Sequence, residues 1–341
     1  MVSIQRVGLS VFVSIAWLVS WPMEVSAQQT RAPENGNLLQ PGPADQLPIK
    51  LQAPRTAPRA PFQLTQEERV RLDKILTFWE LKSGKIKTFS TQFDRWEYNP
   101  VFGPKNPNIP ISHSQGIIRY AAPDKGEFHV QLNAPFQPPD KPGDRPVFNL
   151  KPVENGEHWV CTGSVVYELN HKTKQLVETH LPPQMQGKRI ADGPLPFMFG
   201  AEKEKMLTRY WIREIIPPNG QLGEYWLEAI PKLRADAANF QRVVVVLDEK
   251  KFLALAIQVY PPNFDPQRNP ARTSYRFSQR KVDDPIHRTK DFFDQFISPR
   301  VPVGWKKIVE NVGGAGPAER PVTAANAKAK QARLPRLETK R

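Results

Sequence analysis

Residues 87–95 read Lys-Thr-Phe-Ser-Thr-Gln-Phe-Asp-Arg, and their alternation sets the fold class. Phe89, Thr91 and Phe93 fall on one face, and Ser90, Gln92 and Asp94 on the other. Period two is the pattern of a half-buried strand. Two more strand-like runs follow, 114–121 and 127–133, joined across the turn Pro123-Asp124-Lys125-Gly126. Residues 87–130 therefore predict the first wall of a sheet.

A helix precedes that wall. Thr65-Gln-Glu-Glu68 is a capping box, in which hydroxyl and carboxylate satisfy free backbone amides reciprocally. Leu72, Ile75, Leu76 and Trp79 then recur at helical spacing and form one apolar face. Gly84 stands where a left-handed C-terminal cap is expected. The inner side of the sheet is the expected partner of that face.

Downstream, strands are expected at 157–162, 165–169, 175–181, 209–216, 223–230, 241–247, 253–260 and 273–282. A short helix is expected within 194–207, after Phe197, Met198 and Phe199, and a helical turn or closing strand at 291–296. The prediction is a mainly β chain with short helices, an α+β arrangement. About eleven strands in up-and-down order make one antiparallel sheet that curls into a barrel or half-barrel.

The ends read differently. Arg6 precedes an apolar run over 7–21, and Val25-Ser26-Ala27 is a small-residue cleavage site, so 1–27 is predicted to be a signal peptide. The run is shorter than the ~20 residues a membrane span needs, which disfavours the competing reading, a retained anchor. Residues 28–61 carry seven prolines and no hydrophobic period, the composition of an extended linker. The folded domain is placed at 62–310. The tail, 311–341, has seven basic residues against Glu319 and Glu338 and reads as a solvated arm, with a short helix conceivable at 324–334. The expected location is the periplasm or cell envelope.

The formal charge of +14 favours acidic partners, an anionic membrane surface or wall polymer. Basic residues are scattered without an aromatic RNA-binding motif, and export argues further against nucleic acid. The single cysteine, Cys161, excludes an intramolecular disulfide and any CxxC site.

No G-x-S-x-G, HExxH, P-loop or G-x-G-x-x-G occurs, so no catalytic residues are assigned and no enzyme is expected. His158, Cys161, His171 and His180 are the metal candidates considered. His158 and Cys161 are an odd number apart and point to opposite strand faces, so no metal and no cofactor is expected. Glu228, Asp236, Asp248, Asp283 and Asp284 sit at turns or strand ends and suggest no acid/base pair.

The order of motifs resembles the LolA/LolB lipoprotein-carrier superfamily. The resemblance rests on the amphipathic helix, Gly116-Ile-Ile-Arg-Tyr-Ala-Ala-Pro123, Phe128-His-Val and His158-Trp-Val-Cys-Thr-Gly163-Ser-Val-Val-Tyr-Glu-Leu169. It continues through Val243-Val-Val-Val-Leu-Asp248 and Thr273-Ser-Tyr-Arg-Phe277 to Phe293-Asp-Gln-Phe-Ile-Ser-Pro299. In detail, with Trp79-Glu80 and Pro194-Leu-Pro-Phe197, it is most similar to uncharacterised LolA-like exported proteins of planctomycetes. The resemblance implies a half-barrel with a helical lid over an apolar cavity that takes a lipid or lipoprotein acyl chain.

The cavity residues it implies are Trp79, Phe89, Phe93, Ile118, Tyr120, Phe128, Val130 and Trp159. Burial alone can hold such a ligand, at ~0.8 kcal/mol per methylene. Residue by residue, the filling of a packed core is the favoured reading of the same side chains. The function expected is a carrier or sensor of a hydrophobic ligand, acting as a monomer; the alternative is an envelope interaction module with a filled barrel and a basic contact tail. The carriers place an arginine immediately before the proline matching Pro123, where it helps control cargo release. Here that residue is Ala122, so energy-coupled lipoprotein shuttling is not expected.

Overall fold

The computed structural model describes residues 60–311, except 102, 105, 140, 142–143, 155, 172, 182, 184–185, 187–195, 200–201, 218–219 and 221. The signal peptide, most of the linker and the basic tail read from the sequence lie outside the described residues, as does Pro194.

Helix α1 spans Gln66–Ser83 and begins as the capping box dictates. The Thr65 hydroxyl accepts from the Glu68 amide at 3.2 Å, and the Glu68 carboxylate accepts from the Thr65 amide at 2.8 Å. Gly84 departs from expectation: it is right-handed, with φ −61° and ψ −21°. Its amide donates to Glu80, and Lys85 and Ile86 donate to Lys82 and Ser83. These tightened turns satisfy the terminal carbonyls, so no left-handed residue is needed.

The first strands are β1 (Thr88–Tyr98), β2 (Ser112–Ala121), β3 (Lys125–Pro135), β4 (Lys151–Pro152), β5 (His158–Thr162), β6 (Val165–Asn170) and β7 (Gln175–His180). Helices α2 (Pro196–Phe199) and α3 (Lys203–Arg209) then lead to β8 (Tyr210–Glu214) and β9 (Glu224–Pro231). After α4 (Arg234–Ala237) come β10 (Arg242–Asp248), β11 (Ala254–Tyr260) and β12 (Arg272–Val282). A helical turn, α5 (Lys290–Phe293), lies between two 3-10 turns, and β13 (Lys306–Asn311) follows. Residues 291–296 thus take the helical of their two expected forms.

All thirteen strands join one open sheet, ordered β13-β7-β6-β5-β3-β2-β1-β12-β11-β10-β9-β8, with β4 paired to β3. This is the expected mainly β, curled half-barrel with short helices. Two details differ from the sequence reading. The two-residue β4 and the late β13 raise the strand number above about eleven. The order is also not up-and-down throughout. The chain starts mid-sheet at β1, runs outward to β7, crosses to the far edge at β8 and returns to place β12 beside β1. Among the described strands β13 alone is parallel, pairing with β7. Local turn signals specify strand neighbours joined by short loops; they carry nothing about strands nearly two hundred residues apart.

The alternation in β1 is the one expected, since Phe89, Thr91 and Phe93 are buried together. Their concave face holds the main core, a cluster that includes Leu72, Ile75, Leu76 and Trp79 of α1. The convex face is crossed by 285–296. Asp283 starts this strap, its carboxylate accepting from the amides of Lys87 and Thr88 at 3.0 and 2.8 Å. His287 lies 2.9 Å from the Ser90 hydroxyl, and Phe292 and Phe296 pack with Ala121. Among the described residues no helix is long and apolar enough to cross a membrane.

Candidate functional site on the concave face

The fold brings the eight residues named from the sequence to one place. Trp79, Phe89, Phe93, Ile118, Tyr120, Phe128 and Val130 are all buried in the main cluster, and Trp159 is partly buried against it. The rings form a continuous run. Tyr275 meets Phe93 at 6.0 Å between centroids, Phe93 stacks on Phe128 at 4.8 Å, and Phe128 stacks on Trp159 at 5.6 Å.

Gly116 makes that run possible. It lies in β2, between the strands that carry Phe93 and Phe128. A Cβ there would stand 2.6 Å from the Phe93 ring and 2.1 Å from the His129 carbonyl oxygen. The absent side chain is the space into which Phe93 leans.

Trp79 of α1 is 2% exposed. Its indole N–H has no hydrogen-bond acceptor among the described residues. Leaving such a donor unpaired in an apolar interior costs about 1–3 kcal/mol. An oxygen on a bound molecule would supply the missing acceptor.

Solved structures similar to this chain share 14% identity or less with it. A LolA superfamily protein is among the neighbours. That protein, from Nitrosomonas europaea, is 12% identical, with TM-score 0.29, covering 64% of this chain and 98% of its own. An uncharacterised conserved protein from Thermus thermophilus is 10% identical, with TM-score 0.36, covering 70% and 99%. A domain named for outer membrane lipoprotein sorting, from Vibrio parahaemolyticus, is 14% identical, with TM-score 0.24, covering 65% and 95%. The planctomycete detail of the sequence resemblance has no counterpart among these neighbours. No protein-family model matches the sequence, and no curated protein matches it.

Beyond the aromatic run the concave face turns polar. Arg95 pairs with Tyr275 across the β1–β12 register. Its guanidinium holds Glu157 at 2.6 Å and stands 3.6 Å from Glu97. Burial pushes the Tyr275 phenol up to about 12. Sequence reading passed over Arg95, although the inward series Phe89, Thr91, Phe93 continues to it without a break.

Cys161 and His158 point to opposite faces, as their spacing requires. Cys161 is buried in the concave cluster, its thiol donating to the Asp124 carbonyl at 3.3 Å, and burial pushes that thiol up to about 11. His158 lies on the convex face, where Arg119 also points, paired with Glu127. Glu127 is buried, and although burial pushes its carboxyl up, His158 and Arg119 together bring it below the usual range.

The convex cluster is one the sequence reading missed. Ligand atoms of Glu127, His129 and His158 all lie within 4.8 Å of one another. The signal was present as Glu-x-His at 127–129, one strand away from His158. The five carboxylates considered for acid/base work have structural partners. Glu228 lies 2.6 Å from Arg213 and 2.8 Å from Arg242, and Asp236 lies 2.5 Å from Arg209. Asp248 and Asp284 accept backbone amides at turns, as Asp283 does at the strap.

Proposed function

We propose that this chain is a non-catalytic, exported binder of an acyl chain or similar hydrophobic ligand, held on the concave face beneath α1. In this reading 1–27 is a cleaved signal peptide, 28–61 a linker, 62–310 the binding domain and 311–341 a basic arm that meets an anionic membrane surface or wall polymer. The periplasm or cell envelope is the proposed location, and the working unit is a monomer.

The observation that carries the reading is the Trp79 donor. A buried indole N–H without an acceptor among the described residues, in one cluster with the aromatic run, suits a molecule with a long apolar part and one oxygen-bearing end. Phe89, Phe93, Phe128 and Trp159 of the same cluster would bury the apolar part at ~0.8 kcal/mol per methylene.

One observation favours the alternative, a filled envelope interaction module. The buried residues of the concave cluster cover one another to 8% exposure or less. Ligand entry then requires α1 to lift from the sheet. Native mass spectrometry of the purified chain, before and after organic extraction, separates the two readings. Bound lipid and uptake of a fluorescent fatty acid support the binder. Neither lipid nor uptake supports the filled module. Trp79→Phe sharpens the test: it should weaken a fatty acid more than an alkane of equal length.

A further inference from the structure

We propose that Glu127, His129 and His158 form a site for a divalent transition-metal ion of the zinc class on the convex face of the sheet. The register places them. His129 and His158 are direct partners across the β3–β5 pair, so their side chains share a face. Glu127 is two residues before His129 on β3 and shares that face too. Phe128, between them, points into the concave core.

The spacing fits one ion. Glu127 Oε1 and His158 Nε2 are 3.2 Å apart. Two ligands at the zinc distances of about 2.0–2.2 Å from a tetrahedral ion are separated by about 3.3 Å. The His129 and His158 rings stack, with centroids 4.1 Å apart and planes 20° from parallel, and each offers a ring nitrogen within 4.8 Å of the other's and of a Glu127 carboxylate oxygen. The His129 ring has no hydrogen bond among the described residues, so tilting it out of the stack, which turns an in-plane nitrogen lone pair toward the ion, breaks no hydrogen bond.

The surroundings divide the Glu127 carboxylate between two tasks. Arg119 holds Oε2, and Oε1 faces His158. A ligating carboxylate fixed from behind by a hydrogen-bond donor is the usual second layer of a metal site. The nearby guanidinium charge weakens the ion's hold, so exchangeable rather than permanent binding is expected. Two imidazoles and one carboxylate with a fourth position open to water are a donor set for zinc, nickel or copper. Calcium and magnesium require more oxygen ligands than the cluster supplies. The half-buried histidines leave an entry path.

The test uses the purified chain, stripped with a chelator, and titration calorimetry with Zn(II) and with Ni(II). One equivalent should bind, with no heat from Mg(II). His129→Gln and His158→Gln should each weaken binding at least ten-fold, with thermal unfolding confirming that each variant is folded. His180→Ala, which removes the histidine that meets Glu178 elsewhere, should leave binding unchanged. Co(II) should give a visible spectrum in the wild type that both glutamine variants lose. No stoichiometric binding, binding undiminished in both glutamine variants, or binding lost in His180→Ala overturns the proposal.

Discussion

Arg71 of α1 and Glu214 of the edge strand β8 meet in a two-pronged pair, with Nε to Oε2 at 2.5 Å and Nη2 to Oε1 at 2.9 Å. The pair ties the helix that covers the concave face to the last strand of the sheet. Arg71 is 63% exposed, so its contribution is that of a surface ion pair, about 0.2–1 kcal/mol. A double-mutant cycle on Arg71→Ala and Glu214→Ala should return a coupling in that range. Both variants should raise amide exchange in α1 more than in β10. A coupling well above that range would mean that the helix is latched rather than merely guided.

Gly116 should tolerate no side chain. Gly116→Ala sets a methyl against the Phe93 ring and the His129 carbonyl oxygen. Overpacking of this kind costs about 1–3 kcal/mol, read from the urea midpoint. Adding Phe93→Leu should recover only part of the loss. The ring is removed from the clash, while the carbonyl belongs to the paired strand and cannot withdraw.

The β13 edge should loosen in acid. Glu178 holds Lys307 at 2.6 Å and His180 at 2.7 Å. The Lys307 hydrogen bond, opposed by burial and aided by His180, lowers the Glu178 carboxyl from its ordinary value of 4.5. A carboxyl lowered in the folded state contributes stability that is complete above the unfolded value. That stability is lost as pH falls through the folded one. Protection factors of β13 amides should therefore fall below pH 4.5, and Glu178→Gln should lack that acid step. A β13 that stays equally protected in acid, in wild type and variant alike, contradicts the assignment.

Cys161 should be chemically silent in the native protein. Its burial and its raised thiol keep the reactive thiolate scarce at neutral pH. An aromatic disulfide reagent at pH 8 should label it orders of magnitude more slowly than in denaturant. Fast native labelling would show that the concave cluster opens readily, and a bound fatty acid should then slow it.

Much of this molecule was legible in short stretches of sequence. The Thr65–Glu68 box set the start of α1, and the alternation at Phe89, Thr91 and Phe93 set which face of β1 is inward. The hairpin through Pro123 and the meander at 157–181 followed from the same period-two rule, and helical spacing put Trp79 on the apolar face of α1. These features depend on backbone geometry repeated within ten or so residues, and a local pattern records such geometry directly. Tertiary structure decided the rest. It placed β12 beside β1, added β13 in parallel beside β7, and drew 285–296 over the convex face. It kept Gly84 right-handed because the next turn could satisfy the helix end. It also joined Glu127 and His129 to His158 and Arg119, and it gave the Trp79 indole no acceptor among the described residues. Apart from the local turn at Gly84, each of these outcomes depends on which distant segments share a sheet, and that choice is made by the burial of the whole concave face at once rather than by any one stretch of chain.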